Sequence, residues 1–125
     1  MTVLTTCAGM ASAAPGFPAG FAEALVANGL TSPTAMQFAT DGRIFITEKA
    51  GRIRVIKQGE LLPAPFAVIA VDDEAERGLL GIALDPNFPI APYVYVYYTV
   101  RATAATAVHN RVSRFTAAGD VAVPN

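Results

Sequence analysis

The segment Thr40–Glu60, "TDGRIFITEKAGRIRVIKQGE", decides the fold, because it contains two short runs joined by a connection that carries glycine. In "RIFITEK", residues 43–49, Ile44 and Ile46 lie on one face of an extended chain, and in "RIRVIK", residues 52–57, arginines alternate with apolar residues. Short turns that carry glycine between such runs are signals of β-hairpins. The segment therefore predicts a meander of antiparallel strands.

The same pattern recurs in the second half of the chain. Three later segments correspond in order to three earlier ones: "GLLGIALDPNF" to "TAMQFATDG", "YVYVYYTV" to "RIFITEK", and "RVSRFTAAGDV" to "RIRVIKQGEL". Asp41 and Asp85 begin equivalent turns, where an aspartate side chain can bond the backbone of its own turn. Repeated meanders of three or four strands are typical of β-propeller blades. We predict an all-β fold of two blades, at about residues 30–70 and 76–125.

Two blades do not close a propeller ring, and they leave apolar faces and strand edges that neighbouring repeats normally cover. We therefore expect residues 15–125 to be the N-terminal part of a longer propeller domain. We also expect this chain not to fold stably by itself. The apolar segment Phe21–Leu30 fits either one helical turn or the strand that closes a propeller ring, and the strand is favoured.

Composition excludes several classes of protein. The chain is 53% hydrophobic and 15% charged, which excludes intrinsic disorder for most of its length. The net charge is −1 and the basic residues are dispersed, so nothing indicates a nucleic-acid partner. Cys7 is the only cysteine, which excludes a disulfide framework. The sequence also lacks a nucleophile elbow, a phosphate-binding glycine loop and a paired-cysteine zinc motif.

Residues 1–14, "MTVLTTCAGMASAA", are small, apolar and uncharged. Ala11-Ser12-Ala13 fits a signal-peptide cleavage site, although the basic segment that opens such signals is missing. We expect a signal-peptide remnant; the alternative is a disordered leader. Lipidation at Cys7 is less favoured, because Thr6 fits poorly before a lipidated cysteine. The stretch is too short to span a membrane.

Four segments, in order, are "LTSPTAMQFATDGRIFITEKAGRIRVIKQGELLPAPF", "ERGLLGIALDPNF", "YVYVYYT" and "HNRVSRFTAAGDV". Together they resemble the opening blades of the glucose/sorbosone dehydrogenase family, which includes soluble quinoprotein glucose dehydrogenases and aldose sugar dehydrogenases. The resemblance covers about residues 30–124. Each segment is weak evidence alone, and their order and spacing make the resemblance specific.

The resemblance implies a six-bladed β-propeller that carries pyrroloquinoline quinone (PQQ) and calcium. It implies oxidation of the anomeric C1–OH of an aldose to a lactone, with transfer to an electron acceptor, in the periplasm or outside the cell. The family's general-base histidine and its main cofactor contacts lie downstream. We therefore expect no catalytic residue and no metal ligand in this chain, and His109 is not that base.

Glu76 is the first candidate for a site near substrate and cofactor. The family pattern places a Gln or Glu two residues before Gly-Leu-Leu-Gly, and residues 76–81 match it. A carboxylate on a loop that enters the innermost strand can accept a hydrogen bond from a sugar hydroxyl. The alternative is a solvated acid paired with Arg77 or Arg43. Arg77 is a weaker candidate to face a quinone carboxylate, and neutralisation of nearby acids is the favoured role.

Other residues in this region have structural interpretations. Gly78 and Gly81 permit close approach of a ligand, or reflect crowding near the propeller axis, which is favoured. The acids of residues 72–74 do not match an EF-hand, because its sixth position, a glycine, would be Arg77. They predict a solvated loop. The tyrosines that alternate through residues 93–97 predict packing between blades.

Two other functions stay open. The first is a propeller used only for binding, because one fold supports many functions. The second, with weaker support, is a calcium-dependent propeller lactonase.

Overall fold

The computed structural model describes residues 16–124, and these residues form strands and connections with no helix among them. The first sheet contains β1 (Pro33–Phe38), β2 (Ile44–Glu48), β3 (Arg52–Lys57) and β4 (Glu60–Leu61) in that order, with β5 (Ala67–Val68) paired to β3. The second sheet contains β6 (Leu79–Leu84), β7 (Tyr93–Val100), β8 (His109–Ala118) and β9 (Val121–Ala122) in that order. Every pairing is antiparallel, so the prediction of an all-β fold built from two consecutive blades is confirmed.

The internal repeat is visible in the details of the two sheets. Both first strands carry a register shift near their start, between Pro33 and Ala35 in β1 and between Leu79 and Gly81 in β6. Both following turns use an aspartate as predicted: Asp41 Oδ1 accepts the Arg43 amide at 3.2 Å, and Asp85 Oδ1 accepts the Asn87 amide at 3.0 Å. The two blades therefore share register as well as strand order.

The hydrophobic core lies between the two blades. Its buried side chains come from both sheets and from the connections: Ala39, Phe45, Ile53, Val55, Phe66, Val71, Leu79, Phe88, Val94, Val96 and Tyr98. Phe45 is fully buried and meets the rings of Phe66 and Phe88 edge-to-face, with centroids 5.4 and 5.6 Å away. Because aromatic side chains bury large areas, Phe45 is a central contact between the blades.

A polar cluster joins the blades at the edge where the β1–β2 turn meets the β8–β9 turn. Arg43 donates to Asp41 from one blade, and to Asp120 and the Gly119 carbonyl from the other. Its guanidinium also lies against the ring of Phe88, 5.1 Å from the centroid. Lys57 adds a second cation, with Nζ 2.7 Å from Asp120 Oδ2. We call these four residues, Arg43, Asp41, Asp120 and Lys57, the Arg43 clamp.

Two sequence predictions concern partners outside the described residues. In the described chain Phe21–Leu30 forms no helical turn and is not paired as a strand. A strand that closes a propeller ring would pair with the last blade, so that interpretation stays a prediction. In β7, Val94 and Val96 face the first blade, whereas Tyr97, on the opposite face, is 40% exposed. A propeller blade packs through both faces, so packing of the tyrosines between blades also stays a prediction.

The predicted leader, residues 1–14, lies outside the described residues. Within residues 16–124 we find no helix with the length and apolar character needed to cross a membrane.

Candidate functional site

The loop between the two blades, residues 69–78, ends where β6 begins. The amide of Leu79 donates to the Lys49 carbonyl at 2.9 Å, and the amide of Ile69 donates to the Gly51 carbonyl at 2.8 Å. Both acceptors belong to the β2–β3 turn of the first blade. In a closed propeller the first strand of each blade lies nearest the central channel, so we expect this loop to reach the rim of that channel.

Glu76 lies on this loop and is exposed. Among residues 16–124 its carboxylate has no hydrogen-bond or ion-pair partner, whereas both arginines proposed as its neutralising partners are bonded elsewhere. Arg77 lies 3.2 Å from Asp72 and 2.9 Å from Glu74. Arg43 belongs to the clamp at the opposite edge of the blades. Glu76 therefore presents a carboxylate that is available to a ligand.

Arg77 is half-exposed and bonded to acids of its own loop. Its Nη2 donates to Glu74 Oε2, and its Nη1 faces Asp72 Oδ2. Arg77 therefore neutralises neighbouring acids, which is the role that the sequence analysis favoured. To bind a quinone carboxylate, Arg77 would have to break its bond to Asp72 or to Glu74. The role of Arg77 toward a quinone therefore stays a prediction.

Gly78 occupies a position that no other residue fits. Its φ is +145°, and a Cβ there would lie 2.7 Å from the Lys49 carbonyl oxygen and 2.8 Å from Lys49 Cγ. The predicted crowding is therefore present at Gly78, and its source is the turn of the first blade. At Gly81 a Cβ would meet the Cβ of Tyr97 at 3.4 Å, an ordinary contact, so crowding does not explain Gly81 within the described residues.

Sequence reasoning missed the residues that hold this loop. Lys49 donates from Nζ to the Ala75 carbonyl, and Thr34 donates from Oγ1 to the Leu79 carbonyl at 2.6 Å. On the other side, Thr99 donates its amide to the Gly78 carbonyl at 2.9 Å. Lys49 is 26 residues from Ala75, so no local sequence signal identifies the contact.

The other charged candidates have partners of their own. Asp73 and Arg101 approach to 3.8 Å, and Asp72 donates its amide to the Thr99 carbonyl. Within the described part of the chain, no group of three or more His, Cys, Asp and Glu side chains could hold a metal ion. His109 begins β8, where its ring contacts the Ala107 carbonyl and Arg111.

The model of the Glucose / Sorbosone dehydrogenase family matches residues 30–123, which is more than half of the chain. The chain belongs to the glucose/sorbosone dehydrogenase family. This confirms the resemblance found in the sequence. The matched range contains both blades and the loop that carries Glu76.

Curated relatives of this family are longer than the chain. The uncharacterized protein slr1608 of Synechocystis is 37% identical over 98 residues, which are 71% of this chain and 23% of that protein. Quinoprotein glucose dehydrogenase B of Acinetobacter calcoaceticus is 32% identical over 90 residues, 69% of this chain and 19% of that protein. The Hedgehog-interacting protein of Mus musculus is 35% identical over 83 residues, 59% of this chain and 12% of that protein. The chain spans about a quarter or less of each.

Solved structures agree with the assignment. A protein of Thermus thermophilus, named as an oxidoreductase (glucose dehydrogenase), is 41% identical with a TM-score of 0.70, over 80% of this chain and 29% of that chain. The PQQ-bound aldose sugar dehydrogenase of Streptomyces coelicolor is 27% identical with a TM-score of 0.62, over 73% of this chain and 26% of that chain. The family is thus one of oxidoreductases that include glucose dehydrogenases.

Proposed function

We propose that this chain forms the N-terminal part of a PQQ-dependent sugar dehydrogenase that oxidises the anomeric C1–OH of aldoses to lactones. Two relatives support the cofactor and the substrate class: a PQQ-bound aldose sugar dehydrogenase and a quinoprotein glucose dehydrogenase. We also propose a periplasmic or secreted location, in keeping with the apolar leader of residues 1–14.

The contribution of this chain to the site is Glu76. The observation that carries the proposal is its exposed carboxylate on a loop whose two arginine candidates are already paired with other acids. A carboxylate of this kind accepts hydrogen bonds from sugar hydroxyls and so orients the sugar at the channel rim. In this role Glu76 binds and orients the sugar and does not take the C1 proton.

Binding of the cofactor requires residues other than those described here for this chain. PQQ supplies the acceptor for the two electrons and the hydrogen removed from C1. Residues 16–124 offer no cluster suited to a metal ion, and Arg77 is paired with Asp72 and Glu74. We propose that the base and the cofactor ligands lie in the rest of the propeller.

The test uses the full-length protein that carries this chain. It is reconstituted with PQQ and calcium, aldoses are added with an artificial electron acceptor, and dye reduction is followed. The proposal predicts PQQ-dependent and calcium-dependent dye reduction, and no turnover by the 125-residue chain alone. Absence of PQQ binding together with absence of activity on every aldose would refute it.

A second candidate function is non-catalytic binding, favoured by the similarity to a Hedgehog-interacting protein. On this alternative the full-length protein binds a partner and shows no oxidation of sugars. The same reconstitution experiment separates the two candidates, because only a dehydrogenase reduces the dye in proportion to PQQ.

A further inference from the structure

One residue of the first blade contacts both ends of the segment that carries Glu76. The Nζ of Lys49 donates to the carbonyl of Ala75, one residue before Glu76. The backbone carbonyl of Lys49 accepts the amide of Leu79, three residues after Glu76, at 2.9 Å. Lys49 therefore spans residues 75–79 with its side chain at one end and its backbone at the other.

The segment needs such support because parts of its backbone lie in sparsely populated conformations. Ala75 has φ +51°, in the left-handed region that residues with a Cβ rarely adopt. Gly78 has φ +145°, which is accessible only to glycine. Conformations of this kind persist where surrounding contacts fix them, and they occur often at ligand sites. At Ala75 the contact from outside the loop is the ammonium of Lys49.

The stem of Lys49 has a separate role from its ammonium. Its Cγ packs where a side chain on Gly78 would otherwise lie. A variant that keeps the stem and removes the charge therefore isolates the bond to Ala75. Lys49→Met is such a variant, and Lys49→Arg keeps a cationic donor of similar reach.

We propose that Lys49 is a positioning residue for Glu76: its ammonium holds the Ala75 carbonyl and so sets the position of the Glu76 carboxylate at the channel rim. The proposal rests on the proposed function, in which Glu76 binds the sugar. The same ammonium would not need to touch the sugar or the cofactor. Its loss should raise the KM for the aldose much more than it lowers kcat, because Glu76 acts in binding.

The experiment compares four proteins in the full-length form: wild type, Lys49→Met, Lys49→Arg and Lys57→Met. Lys57 is the matched control because its Nζ bonds Asp120 in the clamp, at the opposite edge of the blades. We expect Lys49→Met to raise KM about tenfold. This is smaller than the roughly hundredfold loss of activity expected when a site group is displaced by about 1 Å. Lys49→Arg should restore most of the wild-type KM, and Lys57→Met should leave KM unchanged.

Amide hydrogen exchange of residues 76–79 gives a readout that does not need turnover. Faster exchange in Lys49→Met than in Lys57→Met, at equal melting temperature, supports the loop contact. Unchanged KM and unchanged exchange in Lys49→Met would overturn the proposal, and so would a rise in KM that Lys49→Arg fails to reverse. If Lys49→Met does not fold, Lys49→Gln replaces it. A wild-type protein without sugar oxidation would count against the proposed function, and exchange would still decide the role of Lys49.

Discussion

The guanidinium of Arg43 lies 3.1 Å from the carboxylate of Asp120, although 77 positions separate the two residues in the chain. The side chain of Arg43 is 9% exposed, and it also bonds Asp41 at 2.7 Å and the Gly119 carbonyl at 2.6 Å. Two acids and a carbonyl thus satisfy one nearly buried cation. The contact fixes the second blade against the first at the edge opposite Glu76.

Loss of the Arg43 guanidinium should destabilise the protein. Arg43→Met keeps an apolar stem against Phe45 and Phe88 but leaves Asp41 without its cation, so we expect a loss of about 2 kcal/mol in the free energy of unfolding. Chemical denaturation of the full-length protein measures it. Arg111→Met is the control, because Arg111 is exposed and, among the residues described, its side chain hydrogen-bonds only to His109. Equal stability of the two variants would contradict the role given to the clamp.

The clamp should also make stability depend on acid pH. The hydrogen bond from Arg43 lowers the pKa of Asp41 below its ordinary value of 3.8, against the opposing effect of burial. The hydrogen bond from Lys57, with the charges of Lys57 and Arg43, lowers the pKa of Asp120 in the same way. Because both folded pKa values lie below the unfolded ones, the stabilisation is complete above about pH 5 and is lost as the pH falls through the lowered pKa values.

Unfolding free energies from neutral pH to about pH 2 test this dependence. Asp120→Asn should be less stable than wild type at neutral pH, and the difference should shrink as the pH falls. A difference that stays constant with pH would show that the charge of Asp120 is not what stabilises the contact.

Phe45 should be among the most sensitive core positions. It is fully buried between the rings of Phe66 and Phe88, so Phe45→Ala leaves a cavity and removes two edge-to-face contacts. We expect a loss of about 3–5 kcal/mol in the free energy of unfolding. Ile90→Ala is the control, because Ile90 is 92% exposed. A loss below about 1 kcal/mol for Phe45→Ala would mean that the blades do not meet through this ring.

Gly78→Ala should damage both the fold and the site. The new methyl group would clash with the carbonyl oxygen of Lys49 and would require φ +145° of a residue with a Cβ. We expect a loss of at least about 2 kcal/mol in the free energy of unfolding. Gly81→Ala is the matched control, because its methyl group would meet only an ordinary contact at 3.4 Å. Equal thermal stability of the two variants would show that the loop relaxes freely.

The strands were predictable because their signals are local. The alternation in residues 43–57, the glycine turns and the repeat gave the order of β1 to β4 and of β6 to β9, and the aspartate turns formed as expected. The choice of buried face was not local. Glu48 lies in the polar end of "ITEK", yet its side chain is fully buried. Its carboxylate can be buried because Arg52, Arg54 and the Thr31 amide bind it.

Part of the candidate site was also predictable from local sequence signals. Residues 76–81 match a family pattern, so Glu76 and Gly78 were identified from a contiguous segment. The partners of Arg77 were also close in sequence, at Asp72 and Glu74. Lys49 and Thr34 were missed because they reach residues 75–79 from the other blade, and only the packing of the two sheets brings them together.

The Glu76 carboxylate is the central claim about this chain, and substitution of neighbouring acids tests it most directly. The KM for an aldose is measured for Glu76→Ala and Glu74→Ala in the full-length protein with PQQ and calcium; Glu74 lies on the same loop but is bonded to Arg77. We predict that Glu76→Ala raises KM about tenfold, the loss of roughly one charge-assisted hydrogen bond, while Glu74→Ala changes it less than about twofold. Equal KM values for wild type and Glu76→Ala would contradict the placement of the sugar site at this loop.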